Sequence, residues 1–257
     1  METEKNVLTY NEVRIRQALP YETKIRMSEN RLREFIGYYG EDSVVVSFSG
    51  GLDSTFALAF VRERYPRVKA ISVPAIECLQ NIQLIKNTEN VQMAAPRYSQ
   101  QEIVKKFGFP VVSKKVAKAL QALQNPSEKN AKIRNLALTG YTSEGRKTKT
   151  YKLAKKWRFL IDAPFPISNK CCYYMKETPI QMWCKEHGYA SIIATTVEES
   201  KSRLDGYCKR GGCNSFKGQG DSVPFSFWTR QDILRYIVEH NVEISAAYGE
   251  IKQDENG

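Results

Sequence analysis

Residues 43–63 read SVVVSFSGGLDSTFALAFVRE, an apolar β-branched run followed by two glycines and a segment with apolar residues at helical spacing. A short run such as 43–48 is typical of a strand buried on both faces of a parallel sheet. The segment 53–63 contains no helix breaker and predicts a helix. The stretch therefore predicts a strand, a tight loop and a helix in direct succession.

The alternation of strands and helices continues on both sides of this stretch. Residues 68–73 are the next apolar run, so strand, loop, helix and strand form a right-handed crossover unit. Residues 10–39 carry apolar side chains at helical intervals and predict a helical N-terminal arm. Apolar periodicity predicts further strands at 110–113, 159–163 and 190–194, and helices at 101–107, 115–124, 172–187 and 230–239, the last capped by Thr229. The fold class predicted is α/β.

Changes in composition suggest where the parts of the chain begin and end. We expect a helical arm over residues 1–40, an α/β domain over 41–251 and a tail over 252–257. Within the domain, residues 125–156 are dominated by Lys, Arg, Asn, Thr, Ser and Gly and predict a basic insertion. Residues 170–214 form a C-terminal cysteine-containing region.

Composition favours an anionic ligand. The 257 residues include 39 Lys and Arg against 28 Asp and Glu, a net charge of +11. A nucleotide, phosphate, sulfate or nucleic acid would suit this charge, although many basic proteins are merely soluble. No apolar run approaches the ~20 residues that span a bilayer, and the first residues lack the apolar core of a secretory signal. We expect a cytoplasmic protein with no membrane partner.

The glycine loop after the first strand has the composition of a phosphate site. Paired glycines let the backbone approach a ligand closely, and the following helix offers free N–H groups and a positive dipole end. Asp53 can cap that helix or orient a magnesium-bound water, and the alternative is a plain strand-to-helix turn. The residues expected to bind nucleotide here are Ser47, Ser49, Gly50, Gly51, Asp53, Ser54 and Thr55.

The loop resembles SGGxDS, the PP-loop of the adenine-nucleotide α-hydrolase superfamily, which includes ATP pyrophosphatases and sulfonucleotide reductases. Three later stretches resemble the phosphoadenosine phosphosulfate (PAPS) reductase family: PFPISNKCCYYMKETP at 164–179, TTVEESKSRLDGYCKRGGCN at 195–214 and PFSFWTRQDILRYIVEHNVEI at 224–244. The resemblance spans roughly residues 40–251. It implies a doubly wound, five-stranded parallel sheet with a nucleotide at the carboxyl ends of the strands.

Two departures from the reductases point to ATP. Sulfonucleotide reductases usually lose the second glycine and the aspartate of the PP-loop, whereas Gly51 and Asp53 are present, as in enzymes that cleave ATP to AMP and pyrophosphate. Those reductases also carry a nucleophilic cysteine in a C-terminal Glu-Cys-Gly tail, and no cysteine follows Cys213. The resemblance therefore implies ATP and Mg²⁺ as cofactors.

The resemblance also implies an iron–sulfur cluster. Some sulfonucleotide reductases and PP-loop sulfur transferases hold a [4Fe–4S] cluster on a Cys-Cys pair and later cysteines. Buried, inert thiols are the alternative, because free cysteine is commonly buried. The matching residues are Cys171, Cys172, Cys208 and Cys213; the first two with Cys213 would be the minimal set, which leaves one iron open, and Cys208 would be the fourth ligand.

A second group of residues is implied to contact phosphate or sulfate. In the family, the region corresponding to 198–203 closes over the nucleotide phosphates, which makes Lys176, Ser200 and Arg203 candidates for that contact. A solvated charged face would explain one or two of them. We expect Asp53, Lys176 and Arg203 to be the catalytic residues.

Three functions from different classes stay open. The first is an enzyme that binds Mg-ATP, adenylates a substrate with release of pyrophosphate, and transfers sulfur from a sulfur donor protein with the help of the cluster. The second is a reductase of adenylyl sulfate or its 3′-phosphate. The third is a non-enzymatic module that binds nucleic acid, such as tRNA or DNA, through the 125–156 insertion. The oligomeric state stays open as well.

Overall fold

The computed structural model describes residues 7–149 and 151–252. These residues divide into two compact units, of which the first runs up to Ala94 and resumes at Ile180, and the second comprises Ala95–Pro179. The first six residues of the expected arm, and residues 253–257 of the expected tail, lie outside the described residues.

The described residues form a six-stranded sheet within the first unit. Its strands are β1 (Val44–Ser47), β2 (Lys69–Ser72), β3 (Val91–Met93), β4 (Ala190–Ile192), β5 (Asn214–Ser215) and β6 (Asp221–Ser222), in the order β3-β2-β1-β4-β6-β5. Five strands are parallel, and β5 pairs antiparallel with β6 at one edge. The order reverses between β1 and β4, which confirms the doubly wound α/β arrangement and places the ligand crevice of such folds there.

Helices occupy most of the remaining described chain. The α-helices are α1 (Tyr10–Gln17), α2 (Tyr21–Tyr39), α3 (Leu52–Arg64), α4 (Leu79–Asn87), α5 (Gln100–Phe107), α6 (Lys114–Gln124), α7 (Ala131–Thr139), α8 (Thr178–His187), α9 (Lys201–Arg210) and α10 (Arg230–Glu239). A π-helix, Tyr173–Glu177, leads into α8. Over 7–149 and 151–252, no helix has both the length and the apolar character needed to cross a membrane.

Two predicted strands are wrong. Residues 110–113 do not form one, because Pro110 lacks an N–H and Val112 adopts a φ of 63°. Residues 159–163 lie mostly in the 3₁₀ helix Lys155–Asp162, where Trp157, Leu160 and Ile161 pack on the core of the second unit. The short strands β3, β5 and β6 take their place, so the sheet has six strands instead of the five expected.

The N-terminal arm consists of two helices, separated at Pro20. A capping box between Thr9 and Glu12 starts α1, and the long α2 ends at Gly40, whose φ is 87°. Leu32 and Phe35 of α2 are fully buried and belong to the core of the first unit. The arm therefore contributes directly to that core.

An aromatic cluster joins α3 to the segment that enters α10. Phe56 of α3 lies with its ring centroid 4.7 Å from that of Trp228 and 5.1 Å from that of Tyr236. Phe60, one turn later, meets Phe225 edge-on at 5.2 Å. Each such pair contributes about 0.5–1.5 kcal/mol beyond the burial of its area. The starts of α3 and α10 are thus held in a fixed relation.

Two buried polar contacts connect α2 to the same region. The Lys24 Nζ lies 2.6 Å from the Asp232 Oδ2, and only 4% and 13% of these side chains are exposed. Asp232 also accepts a hydrogen bond from the Thr229 N–H at 2.7 Å and so caps α10. The Trp228 Nε1 donates to the Ser28 Oγ at 2.8 Å. Lys24 thus pairs with the carboxylate that caps the start of α10.

The second unit has a small core of its own. Leu120 of α6, Ala137 of α7, Leu153 and Ile167 are buried together. The Leu153 N–H donates to the Ala137 carbonyl at 2.8 Å, which ties the segment after α7 back onto that helix. The basic stretch predicted at 125–156 is therefore largely folded around this core.

Replacement of Lys24 by Met should destabilise the protein, because Asp232 would keep its position without a charged partner. Removing one member of a buried pair costs about 3 kcal/mol of unfolding free energy, measurable by urea unfolding. The control Arg33→Met, at an exposed position of the same helix, should cost less than about 0.5 kcal/mol. The double variant Lys24→Met/Asp232→Asn should recover part of the loss; equal effects of the Lys24 and Arg33 variants would contradict this role.

Candidate functional site

The glycine loop leaves the sheet at the carboxyl end of β1. The Phe48 N–H still donates to the Ile71 carbonyl of β2 at 2.8 Å, and Ser47 is the last residue of β1. The chain then turns through Ser49, Gly50 and Gly51 into α3. Because β1 adjoins the point where the strand order reverses, the loop lies beside the crevice expected to hold a ligand.

Hydroxyl groups hold the loop in shape. The Ser54 Oγ and the Thr55 Oγ1 donate to the Gly51 carbonyl at 2.8 and 3.0 Å. In return, the Ser49 N–H donates to the Ser54 Oγ at 3.2 Å. The first N–H groups of a helix have no partner within that helix, so this braced turn presents the start of α3 to an anion.

Gly50 is the glycine that this turn requires. Its φ is 69°, and a Cβ added there would lie 2.7 Å from the backbone carbonyl oxygen of Asn81 on α4. Gly51 has an ordinary φ of −74°, and a Cβ there would lie 3.2 Å from the Ser49 Oγ and 3.5 Å from the Tyr248 Oη. Gly50 thus permits the fold of the loop, whereas a side chain at Gly51 would crowd the Ser49 and Tyr248 hydroxyls.

Asp53, in the first turn of α3, is paired with Arg230, the first residue of α10. The Arg230 Nη1 lies 2.7 Å from the Asp53 Oδ1. Burial raises the pKa of Asp53, while Arg230 acts in the opposite direction. Sequence reasoning missed Arg230, although a cation at a helix N-terminus opposes the helix dipole and could have drawn attention to it.

The start of α9 lies close to this pair. Ser200 caps α9 by accepting a hydrogen bond from the Arg203 N–H, and the Arg203 Nε lies 3.0 Å from the Glu199 Oε2. The charges of Glu199 and Arg203 both act on the pKa of Asp53. Of the predicted residues, Asp53, Ser200 and Arg203 are therefore brought into one neighbourhood.

Glu198 connects the starts of α9 and α10. Its Oε2 accepts a hydrogen bond from the Arg230 N–H at 2.6 Å. The Glu198 carboxylate thus occupies an N–H group at the N-terminal end of α10 that would otherwise attract an anion. The neighbourhood thus contains three carboxylates and two arginines.

The family of the chain follows from comparison with known proteins. The phosphoadenosine phosphosulfate reductase domain family matches residues 43–250. The chain belongs to this family. The match confirms the resemblance carried by the PP-loop and by the three later stretches.

A PAPS reductase is also found among similar solved structures. The crystal structure of phosphoadenylyl-sulfate (PAPS) reductase from Candida auris, in a phosphate complex, is 13% identical over 97% of this chain and 97% of its own, with a TM-score of 0.45. No match was found among curated proteins.

The remaining predicted residues of this PAPS reductase family member lie in separate parts of the fold. Cys171 and Cys172 precede the π-helix of the second unit, and Lys176 lies half-buried within that π-helix. Cys208 and Cys213 lie in the first unit, near the end of α9 and just beyond it. The roles of these residues stay predictions.

The cysteines of the first unit are packed as core residues. Cys208 and Cys213 are buried in the apolar core, and the Cys213 Sγ lies 3.4 Å from the Tyr207 Oη. Burial raises the pKa of both thiols. Across the part of the chain that the structure describes, no three or more His, Cys, Asp or Glu residues are grouped to hold a metal ion. The predicted cluster therefore gains no support from the placement of these thiols.

Replacement of Asp53 by Asn should have a stability effect that depends on pH. Because burial is the main cause of its raised pKa, ionised Asp53 destabilises the folded state as the pH rises from about 4 through that pKa. The variant lacks this penalty, so its melting temperature relative to the wild type should rise between about pH 4 and pH 7. The exposed control Asp42→Asn should show a smaller trend. A relative loss of stability at pH 7 would instead show that pairing with Arg230 outweighs burial.

Proposed function

We propose that the chain is an ATP-dependent enzyme that adenylates an acceptor and releases pyrophosphate. The observation that carries this proposal is the intact loop, in which Gly50 allows the turn, Gly51 places no side chain beside the first N–H groups of α3 and Asp53 lies in the first turn of that helix. Membership of the PAPS reductase family supports an adenine nucleotide as the ligand. We place the nucleotide phosphates on residues 49–55.

The proposed reaction is a displacement at the α-phosphate of ATP. An acceptor oxygen forms a bond to the α-phosphorus while the bond to the bridging oxygen breaks, and pyrophosphate leaves with the electron pair. The acceptor's proton goes to solvent. Such a transfer needs positioning and charge stabilisation above all, which the N–H groups of α3 and the guanidinium groups of Arg203 and Arg230 can supply. Asp53 would keep Arg230 in place.

Magnesium fits this proposal as a companion of the nucleotide. Mg²⁺ is commonly held by one or two carboxylates together with substrate phosphates. Asp53 is the carboxylate of the loop, and its Oδ1 pairs with Arg230, so it would orient a water molecule bound to the ion. The ion would neutralise charge on the phosphates, and the described residues need no preformed three-ligand site for this role.

An unpaired acceptor beside the loop also fits a bound nucleotide. The Asn81 Oδ1 is buried without a hydrogen-bond partner, on the residue whose backbone faces Gly50. An unsatisfied buried acceptor costs about 1–3 kcal/mol. A donor group of the nucleoside would remove that cost.

Sulfur transfer is the proposed second stage. Sulfur at the oxidation level of sulfide, delivered by a donor protein in the cytoplasm, would form a bond to the adenylated carbon of the acceptor while the bond from that carbon to AMP breaks and AMP leaves with the electron pair. Lys176 and a cluster on Cys171, Cys172, Cys208 and Cys213 remain proposals for this stage. The adenylation step does not depend on them.

Sulfonucleotide reduction is the second candidate, because it is the chemistry in the name of the family. It requires an accessible thiolate that attacks sulfur. Cys208 and Cys213 are buried, whereas Cys78 is exposed and lies at the start of α4, three residues before Asn81. Cys78 is therefore the thiol to examine for this reaction.

Gly51→Val should weaken ATP binding at least tenfold, about 1.4 kcal/mol, because its side chain would occupy the face that meets the phosphates. Calorimetric titration with Mg-ATP measures the effect. The φ of Gly51 suits valine, and the nearest atoms to the new Cβ are the side-chain hydroxyls of Ser49 and Tyr248, which can shift, so the variant should fold. Gly37→Ala, at a glycine with open space around it, is the matched control and should bind ATP normally. Unchanged affinity in folded Gly51→Val would remove the loop from the proposed site.

Sulfite release separates the two candidate reactions. Given thioredoxin and either adenylyl sulfate or PAPS, the protein should release no sulfite above background, since four of its six thiols, those of Cys171, Cys184, Cys208 and Cys213, are buried and therefore poor nucleophiles, and exposed Cys78 is tested by substitution. Pyrophosphate should compete with ATP for binding. Robust sulfite release that is lost in Cys78→Ser, but retained in Cys184→Ser, would establish the reductase and overturn the adenylation proposal.

A further inference from the structure

The net positive charge of the chain comes from one of its two units. The second unit, Ala95–Pro179, holds 18 Lys and Arg against five Asp and Glu, a net charge of +13. The rest of the chain holds 21 against 23, a net charge of −2. The second unit therefore accounts for the whole excess, although the loop proposed to bind phosphate lies in the first.

Most of this charge lies in a short stretch without balancing acids. Residues 125–158 contain ten Lys and Arg against two acids, Glu128 and Glu144. In the described part of the chain, none of the ten forms a salt bridge with a carboxylate. Uncompensated cations at this density are typical of surfaces that bind a polyanion.

Local contacts bring several of these cations together at the C-terminal end of α7. Tyr141 and Lys147 pair across a tight hairpin that follows the helix. The Lys152 side chain lies against Gly140, with its Cδ 3.2 Å from the position of a Cβ there. The Arg158 Nη2 donates to the Leu138 carbonyl at 3.1 Å. The hairpin, the helix end and the 3₁₀ helix Lys155–Asp162 thus meet around one point.

Aromatic rings are exposed among these cations. Phe159 is 68% exposed and Tyr141 is 43% exposed. Residues three apart share a face of a 3₁₀ helix, so Lys156 and Phe159 point to the same side. The basic surface, defined as Tyr141, Lys147, Lys152, Lys156, Arg158 and Phe159, combines a positive field with flat apolar faces.

We propose that the basic surface binds single-stranded nucleic acid, with phosphates on its cations and bases stacked on Phe159 and Tyr141. Stacking needs an exposed ring beside a backbone contact, and it tolerates any base sequence. Charge alone would also suit an anionic membrane or a sulfated polysaccharide, but neither has planar groups for the rings. The surface is remote in sequence from the glycine loop, so this binding does not rest on the proposed reaction.

The test is fluorescence anisotropy of the full chain with labelled oligouridylate and oligothymidylate of about 20 nucleotides. Phe159→Ala should weaken binding of at least one oligonucleotide by about tenfold, while leaving retention on heparin unchanged, because heparin has no bases to stack. The matched control is Tyr38→Ala, at a ring that is 67% exposed in the first unit. It should change neither measurement.

Salt dependence tests the cations separately. For single strands, the slope of log Kd against log salt is about 0.7 per phosphate contact, so Lys147→Ala/Lys152→Ala should reduce it by about 1.4. The control Lys185→Ala/Lys217→Ala removes two exposed lysines of the first unit and should leave the slope unchanged.

Comparison of the affinities for oligouridylate and oligothymidylate distinguishes RNA from DNA binding, and a preference for either supports the proposal. Three results would overturn it. They are no binding at about 50 mM salt, equal losses in the Phe159 and Tyr38 variants, and tighter binding to phosphatidylserine vesicles than to both oligonucleotides. Because ATP is absent, failure here would leave the adenylation proposal standing, and failure of ATP binding would leave this one standing.

Discussion

The packing of Phe56 and Phe60 against Trp228 and Tyr236 is the contact on which the candidate site depends. These rings are almost fully buried and hold α3 beside α10, so that the two helices begin next to one another. The pairing of Asp53 with Arg230 is a consequence of that arrangement. A half-exposed ion pair contributes little on its own, about 1 kcal/mol or less. The aromatic core holds the two helices in a fixed position, and the ion pair places the Arg230 guanidinium beside the glycine loop.

The predictable part of the fold is the part encoded by neighbouring residues. β1, the glycine loop and α3 follow one another within 25 residues, and α10 with its Thr229 cap is equally local. The short strands β3, β5 and β6 have few apolar residues and exist because longer strands already provide a sheet edge. Residues 159–163 were wrongly predicted to form a strand, because an apolar run of that length suits a strand or a helix equally. Arg230 lies almost 180 residues after the loop in the sequence, and Tyr248 lies farther still. No local sequence pattern reveals contacts across such separations.

The two units differ in how they would attract and recognise an anion. The first unit is nearly neutral, and its candidate site contains three carboxylates and two arginines. Phosphate recognition there would therefore depend on directed N–H groups and on two guanidinium groups at short range. The second unit carries the long-range field. The net charge of +11 for the whole chain therefore differs from the net charge of either unit. It gives no information on the candidate nucleotide site, which lies in the nearly neutral first unit.

The crowding of like charges in the second unit also affects that unit itself. Its cations repel one another around a small core, in which Leu120, Leu153 and Ile167 pack with alanines, and self-repulsion opposes a compact state. Added salt shortens the reach of that repulsion to about 8–10 Å at physiological strength. The ionic strength that would release a bound polyanion from this unit therefore favours its folding, so the same ions would weaken such an association and strengthen the structure of the unit.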